Sequence, residues 1–121
     1  MLPSRHRLRR SAELKRVRQE GRRWHHPLIT LLVYTHPSSE NSPSPSRFAF
    51  VAGRRVGGAV QRNRVKRRLR EVVRHQLPDL LPDRDCVVIA RPDAAVATYQ
   101  ELEAGLDVLF TRAGICRTSE S

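Results

Sequence analysis

One stretch limits the folds open to this chain more than any other. Between Arg54 and Leu77, RRVGGAVQRNRVKRRLREVVRHQL holds nine basic residues against a single acid, Glu71. Threaded through it, Val65, Leu69, Val72, Val73 and Leu77 recur at helical spacing. A helix starting near Ala59 therefore has one face that must be buried and another that cannot be. At about 100° per residue, Arg64, Arg67, Arg70 and Arg74 point away from the apolar stripe. Lys66 and Arg68 flank it, where long stems can lie over apolar surface. Gly53, Gly57 and Gly58 make the lead-in a loop, and Pro78 closes the helix.

The other elements have to supply the surface on which that helix docks. Residues 1–10 read as a basic, irregular arm. Ser11 is placed to cap a short helix carrying Glu13 in its first turn and Leu14 and Val17 on one face, with Gly21 ending it. WHHPLITLLVYT, from Trp24 to Thr35, predicts a strand buried on both faces, with a short separate strand or bulge before Pro27. His36 to Ser46 is rich in Pro and Ser and predicts a mobile loop that adds nothing to the core. RFAFVAG, from Arg47 to Gly53, is the next strand, with Phe48, Phe50 and Ala52 on one face and Ala49 and Val51 on the other. An antiparallel pair across the loop is the simplest expectation for these two strands. DCVVIAR, from Asp85 to Arg91, is an apolar run of strand length. It follows a helix, so a parallel crossover onto a central position is expected. Thr98 and Glu101 have the spacing of a capping box. They open a last helix with Leu102, Leu106, Leu109, Phe110 and Ala113 inward, ended by Gly114. Residues 115–121 are expected to be a loose tail. The sum is one α+β domain over residues 1–121, in the order α-β-β-β-α-β-α, with one mixed sheet of about four strands.

Charge says what such a domain meets. The net charge is +11, and residues 5–23 and 54–74 together carry eighteen of the twenty-three Lys and Arg. From His75 onward four Arg face eight acids. A domain with one basic side predicts a polyanionic partner. Only Lys15 and Lys66 are lysines. That preference for Arg suits bidentate phosphate contact. A zipper-type DNA reader is disfavoured, because no heptads follow the basic helix. A membrane-surface helix would need Trp, Phe or Leu where this one has mostly Val. Structured RNA fits best.

Other chemistries find little support. No G-x-S-x-G, H-E-x-x-H or Walker loop is present, and the acids do not pair on one element. Cys86 and Cys116 are expected to be reduced thiols. No metal-ligand spacing is seen, and His25 and His26, adjacent on a strand, would point to opposite faces. No apolar run nears the roughly 20 residues that cross a bilayer, and no apolar segment follows the basic start. A cytoplasmic location and no membrane contact are expected.

The stretch from Arg54 to Glu71 resembles the signature of the bacterial ribonuclease P protein subunit: a V-G-x-A-V lead-in, then R-N-R, then K-R-x-x-R-E. Leu8 to Gly21 is similar to that family's basic arm and first helix, Asp85 to Pro92 to its D-x-V-x-I-A-R-P strand, and Tyr99 to Phe110 to its last helix. The resemblance implies a protein that partners a catalytic RNA, in a holoenzyme that cuts the 5′ leader from precursor tRNA. It implies that the RNA, with bound magnesium, performs the hydrolysis, and that the protein has no catalytic residues or metal site of its own. It further implies that no protein partner is required. It assigns RNA contact to Arg54, Arg55, Arg62, Asn63, Arg64, Lys66, Arg67, Arg68 and Arg70. It also implies a left-handed β-α-β crossover, against the usual right-handed rule. The leader is expected in a cleft between helix and sheet, with Leu14, Arg18, Thr30 and Leu32 as its candidates here. Leu14, Arg18 and Leu32 stand where the family often has aromatics, so leader binding is expected to lean on charge. The alternative function is a structural, ribosome-associated RNA-binding protein with no processing role; a metal-dependent nuclease acting alone is a third.

Overall fold

Pro27 has no N–H to give a β-ladder, and the chain divides there as its chemistry requires. The computed structural model describes residues 2–37 and 43–116. Within them the elements run α1 (Ser11–Glu20), β1 (Arg22–His25), β2 (Ile29–Thr35), β3 (Arg47–Ala52), α2 (Ala59–Gln76), β4 (Arg84–Ala90) and α3 (Tyr99–Ala113). Short 3-10 turns occupy Ser4–His6, Arg54–Val56, Leu77–Asp79 and Pro92–Val96.

The four strands form one mixed sheet in the order β1-β2-β4-β3. β4 is central, antiparallel to β2 and parallel to β3. The expected direct pairing of β2 with β3 is therefore incorrect. β4 contributes Cys86, Val87 and Val88, all fully buried, and only an interior position lets such a strand pair on both edges and hide both faces. The crossover through α2 delivers it there, parallel to β3.

Each sheet face has its own core. Ile29, Leu31, Val33, Phe48, Cys86 and Val88 pack against Val65, Leu69, Val72 and Val73 of α2 and Leu102, Leu106, Leu109 and Phe110 of α3. The stripe read in α2 is thus its buried seam. Truncating Leu69, fully buried, to Ala would cost about 2–5 kcal/mol. On the opposite face Leu32 and Val87 meet Val17 of α1 and Leu8. α1 has only ten residues, of which Val17 alone is fully covered, and so it shields part of this face and leaves the rest thinly covered.

Both ends of the chain depart from expectation. The basic arm is partly built in: Leu2 and Leu8 are buried, and the Leu8 N–H donates to the Phe48 carbonyl at 2.9 Å. The arm thereby covers part of the open outer edge of β3, which would otherwise leave backbone groups unpaired. At the other end Ile115 is buried, and its carbonyl accepts from the Leu81 N–H. The expected loose tail thus starts two residues too early in the sequence reading, and residues 117–121 lie outside the described ones. Residues 38–42 of the expected mobile loop also lie outside them, but its stems are tied down. Ser46 is buried; its hydroxyl donates to the Leu81 carbonyl at 2.6 Å and accepts from the Arg84 N–H at 3.1 Å. Asp83, at φ 65°, accepts from the Ser44 N–H at 2.7 Å and so closes the base of the loop.

The helix ends are mixed. Thr98 and Glu101 form the expected capping box, and Gly114 adopts the left-handed C-cap at φ 70°. Ser11, in contrast, is the first helical residue, and Arg10 takes the N-cap position without a side-chain cap. Gly21 is extended at φ −76°, so its role is not a left-handed cap. A Cβ there would lie 2.4 Å from the Val17 carbonyl oxygen and 2.9 Å from that of Val33. Glycine is needed because α1 ends directly against the β2 backbone. Gly21→Ala should therefore lower stability by about 1–3 kcal/mol, as overpacking does. A thermal melt is the check, and an unchanged midpoint would show that this junction has room to spare.

Candidate nucleic-acid interface

The buried seam of α2 fixes the direction of its remaining side chains. Asn63, Arg64, Arg67 and Arg70 are exposed, and Arg62, Lys66 and Arg68 are half-buried at the border of the seam. Arg54 and Arg55 stand exposed on the turn before the helix, which is anchored by buried Val56. Gly57 follows at φ 144°. A Cβ here would overlap the Gln61 side chain, whose Oε1 accepts from the Gly58 N–H at 3.2 Å. This turn and hydrogen bond start α2 with no acid in its first turn. The positive end of the helix dipole and the surrounding Arg groups therefore add.

Charge along α2 is not all free. Arg74 pairs with Glu71, and this hydrogen bond holds the Glu71 carboxyl below its ordinary range. Arg68 turns inward and donates from Nη1 to the Ala97 carbonyl at 3.1 Å. It fastens the Pro92–Val96 turn to the helix, so of the predicted RNA contacts it is the one with a visible structural task. Near the start of the helix, Ala52, Ala59, Arg62, Asn63 and Lys66 enclose a depression of about 210 Å³. The Arg62 Nε is buried there without a hydrogen-bond partner in the protein, which leaves a donor for an incoming acceptor.

A second concavity of about 310 Å³ lies over β3 between α1 and α2. Leu8, Leu14, Ala49 and Val51 give it an apolar floor, while Arg7, Arg9, Arg18 and Arg70 stand around it. The Arg70 guanidinium lies 5.8 Å from the Phe50 ring centroid, a cation–π contact that holds it between the helix and the strand edge. Arg70 therefore belongs both to the basic face of α2 and to this cleft.

Of the four cleft candidates read from the sequence, the structure brings Leu14 and Arg18 to the cleft. It does not bring Leu32 or Thr30. Leu32 is 1% exposed beneath α1, and Thr30, also buried, has its hydroxyl 3.4 Å from the His25 Nδ1. Both sit on the correct face of the sheet but one strand beyond β4, away from β3. Sequence reasoning missed Arg7 and Arg9, because nothing local indicated that the arm would run beside β3.

Buried Asp85 was also missed. Its carboxylate accepts from Arg47 Nε at 3.0 Å and Nη2 at 2.9 Å. His36 Nε2 and Arg16 Nη2 lie 2.8 Å and 3.4 Å from it. Arg47 also pairs with Glu13 of α1 at 2.8 Å. Burial works to lower the Arg47 pKa, but these hydrogen bonds to Asp85 and Glu13 outweigh it and raise the pKa. The available signal was an acid opening an otherwise apolar strand, which requires a buried cation. Cys86 beside it is fully buried, and that burial pushes its thiol pKa far up. Such a thiol is inert at neutral pH. Among the described residues no three His, Cys, Asp or Glu side chains are grouped to hold a metal ion. No described helix is long and apolar enough to cross a membrane.

The chain is similar to known proteins in sequence and in fold. The family model for ribonuclease P matches residues 2–114. A ribonuclease P protein component from Acidothermus cellulolyticus is 46% identical over 112 residues, covering 93% of this chain and 91% of that protein. One from Beutenbergia cavernae is 44% identical, covering 95% and 93%. Among solved structures, the RNase P protein of Staphylococcus aureus aligns with a TM-score of 0.78 at 21% identity, over 91% of this chain and 96% of that one. The RNase P protein of Thermotoga maritima aligns with a TM-score of 0.76 at 25% identity, over 89% and 97%.

The basic residues of α2 should separate on substitution. Arg68→Ala removes a charged hydrogen bond to a carbonyl and is expected to cost about 1 kcal/mol of stability. Arg64→Ala and Arg67→Ala, exposed, should change the thermal midpoint little. Equal midpoints for all three variants would remove the structural task assigned to Arg68.

Proposed function

The chain belongs to the family of ribonuclease P protein components, and from that premise we propose how it serves the complex. The basic face of α2 binds the RNA subunit, with Arg54, Arg55, Arg62, Asn63, Arg64, Lys66 and Arg67 contacting phosphates and grooves. The cleft over β3 takes the single-stranded 5′ leader of precursor tRNA, with Leu14 on its floor and Arg18 and Arg70 at its rim. The RNA subunit performs the hydrolysis with magnesium that it holds itself.

The observation that carries this reading is the adjacency of the two surfaces. Arg70 is common to both, so an RNA docked on α2 continues naturally into the cleft. The cleft's makeup supports the leader assignment. Its lining is apolar, with Phe50 beside the aliphatic floor, and its rim cationic, a combination that tolerates any base while tracking the backbone. Aromatic platforms, each worth about 1–3 kcal/mol per stacked base, are not supplied by Leu14 or Arg18. Phe50, the partly exposed aromatic of the cleft, already has the Arg70 guanidinium 5.8 Å from its ring centroid, so backbone phosphates are the main target. Two acids near the proposed RNA surfaces are already paired, Asp85 with Arg16 and Arg47 and Glu71 with Arg74.

The decisive experiment adds purified protein to its cognate RNA subunit at low magnesium and follows precursor-tRNA cleavage. A marked gain in rate is expected, and no gain with an RNA known to be active would overturn the proposal. Ribosomal RNA as the dominant co-purifying partner would favour a structural role instead, and cleavage by RNA-free protein an independent nuclease. With about six phosphates neutralised, affinity for the RNA subunit should fall on the order of a thousandfold between roughly 50 and 200 mM salt. Arg62→Ala and Arg64→Ala should each weaken RNA binding and flatten that salt slope by about one, with the thermal transition retained.

A further inference from the structure

α1 supplies one wall of the cleft, yet it holds itself in place poorly. It is ten residues long, lacks a side-chain cap and fully buries only Val17. A helix of that length has little intrinsic stability, and Val17 with the partly buried Leu14 beside it gives only a narrow apolar contact to fix its rotation about its own axis. Something else must set where Leu14 and Arg18 stand.

The polar cluster at the start of β4 is built to do so. Asp85, 1% exposed, is bound by Arg47 across the parallel β3–β4 register, in which the two residues are direct partners. Two links then run to α1. Arg16 places Nη2 3.4 Å from the Asp85 carboxylate and lays its guanidinium 4.6 Å from the Tyr34 ring centroid. Glu13 accepts from Arg47 Nη1 at 2.8 Å. Glu13 and Arg16 are three residues apart, so they share one side of α1. Leu14 and Arg18, four apart, share the side that lines the cleft. Holding the first pair fixes the second.

We propose that Asp85 is a positioning residue for the leader cleft. Acting through Arg47, Glu13 and Arg16, it sets the rotation of α1 and with it the placement of Leu14 and Arg18 against β3. The inference rests on the reading of that cleft as the leader site. It assigns a binding task to a carboxylate that touches no RNA.

The test uses the reconstituted holoenzyme and two substrates, precursor tRNA with its leader and the same tRNA without one. Affinity for each is measured alongside affinity of the protein for the RNA subunit and kcat at saturating substrate. Asp85→Asn, Glu13→Gln and Arg16→Met are compared with the unaltered protein. Glu13 and Arg16 are partly exposed, so their variants keep the test valid if Asp85→Asn does not fold. In the variants the leader-dependent gain in affinity is expected to fall by roughly tenfold, with RNA-subunit affinity and kcat held within about twofold. Glu13→Asp, which keeps the charge, should recover part of the loss.

Three results would overturn the proposal. A leader gain that survives in folded Glu13→Gln and Arg16→Met removes the positioning role alone. A parallel loss of RNA-subunit affinity shows that the cluster only maintains the fold. An unaltered holoenzyme that binds both substrates equally removes the leader assignment of the cleft, and the positioning role with it.

Discussion

The whole architecture answers to one strand that must be hidden on every side. β4 pairs along both edges and is buried on both faces at Cys86, Val87 and Val88. α2 and α3 are long enough to seal one face. The other is left to α1 and the N-terminal arm, which together do not seal it. The functional concavity is the remainder of that incomplete cover: a sheet face with apolar floor residues and Arg side chains around it.

The same asymmetry sorts the charge. On α2, the seam that docks on the sheet commits every third or fourth position to Val or Leu and projects the Arg set outward. Two of the cations are then spent within the fold, Arg74 on Glu71 and Arg68 on the Ala97 carbonyl. Those that remain form a surface from the Arg54–Val56 turn to Arg70, where it meets the cleft. Across the molecule, Arg16 and Arg47 do the reverse. They are turned toward buried Asp85 while staying partly exposed themselves, and the buried carboxylate depends on them because an unpaired charge in the interior is costly.

Much of this was legible along the chain because its signals are local. The spacing of Val65, Leu69, Val72 and Val73 identified both the helix and its buried face. Pro27 marked the break between β1 and β2, and Thr98 with Glu101 marked the start of α3. What failed was non-local. Nothing in RFAFVAG or TLLVYT reveals that a third strand inserts between them, because pairing partners are chosen by competition among edges. Leu8 reads as one apolar residue in a basic arm until the open edge of β3 gives it somewhere to go. Leu32 reads as a cleft residue until α1 is seen lying over it.

By itself, then, the sequence determined the elements, the two-sided character of α2 and the polyanionic nature of the partner. It also carried the R-N-R motif by which the family was identifiable. These depend on periodicity, on capping and on charge density, which are properties of neighbouring residues. Only the tertiary structure decided the order β1-β2-β4-β3, which cations stay free, and where the cleft opens. Each of those follows from which surfaces compete for burial, and that competition exists only once segments far apart in the chain are brought together. Asp85 shows the difference most clearly. In sequence it is an acid at the head of an apolar run, and in the fold it is where α1, β3 and β4 are tied together.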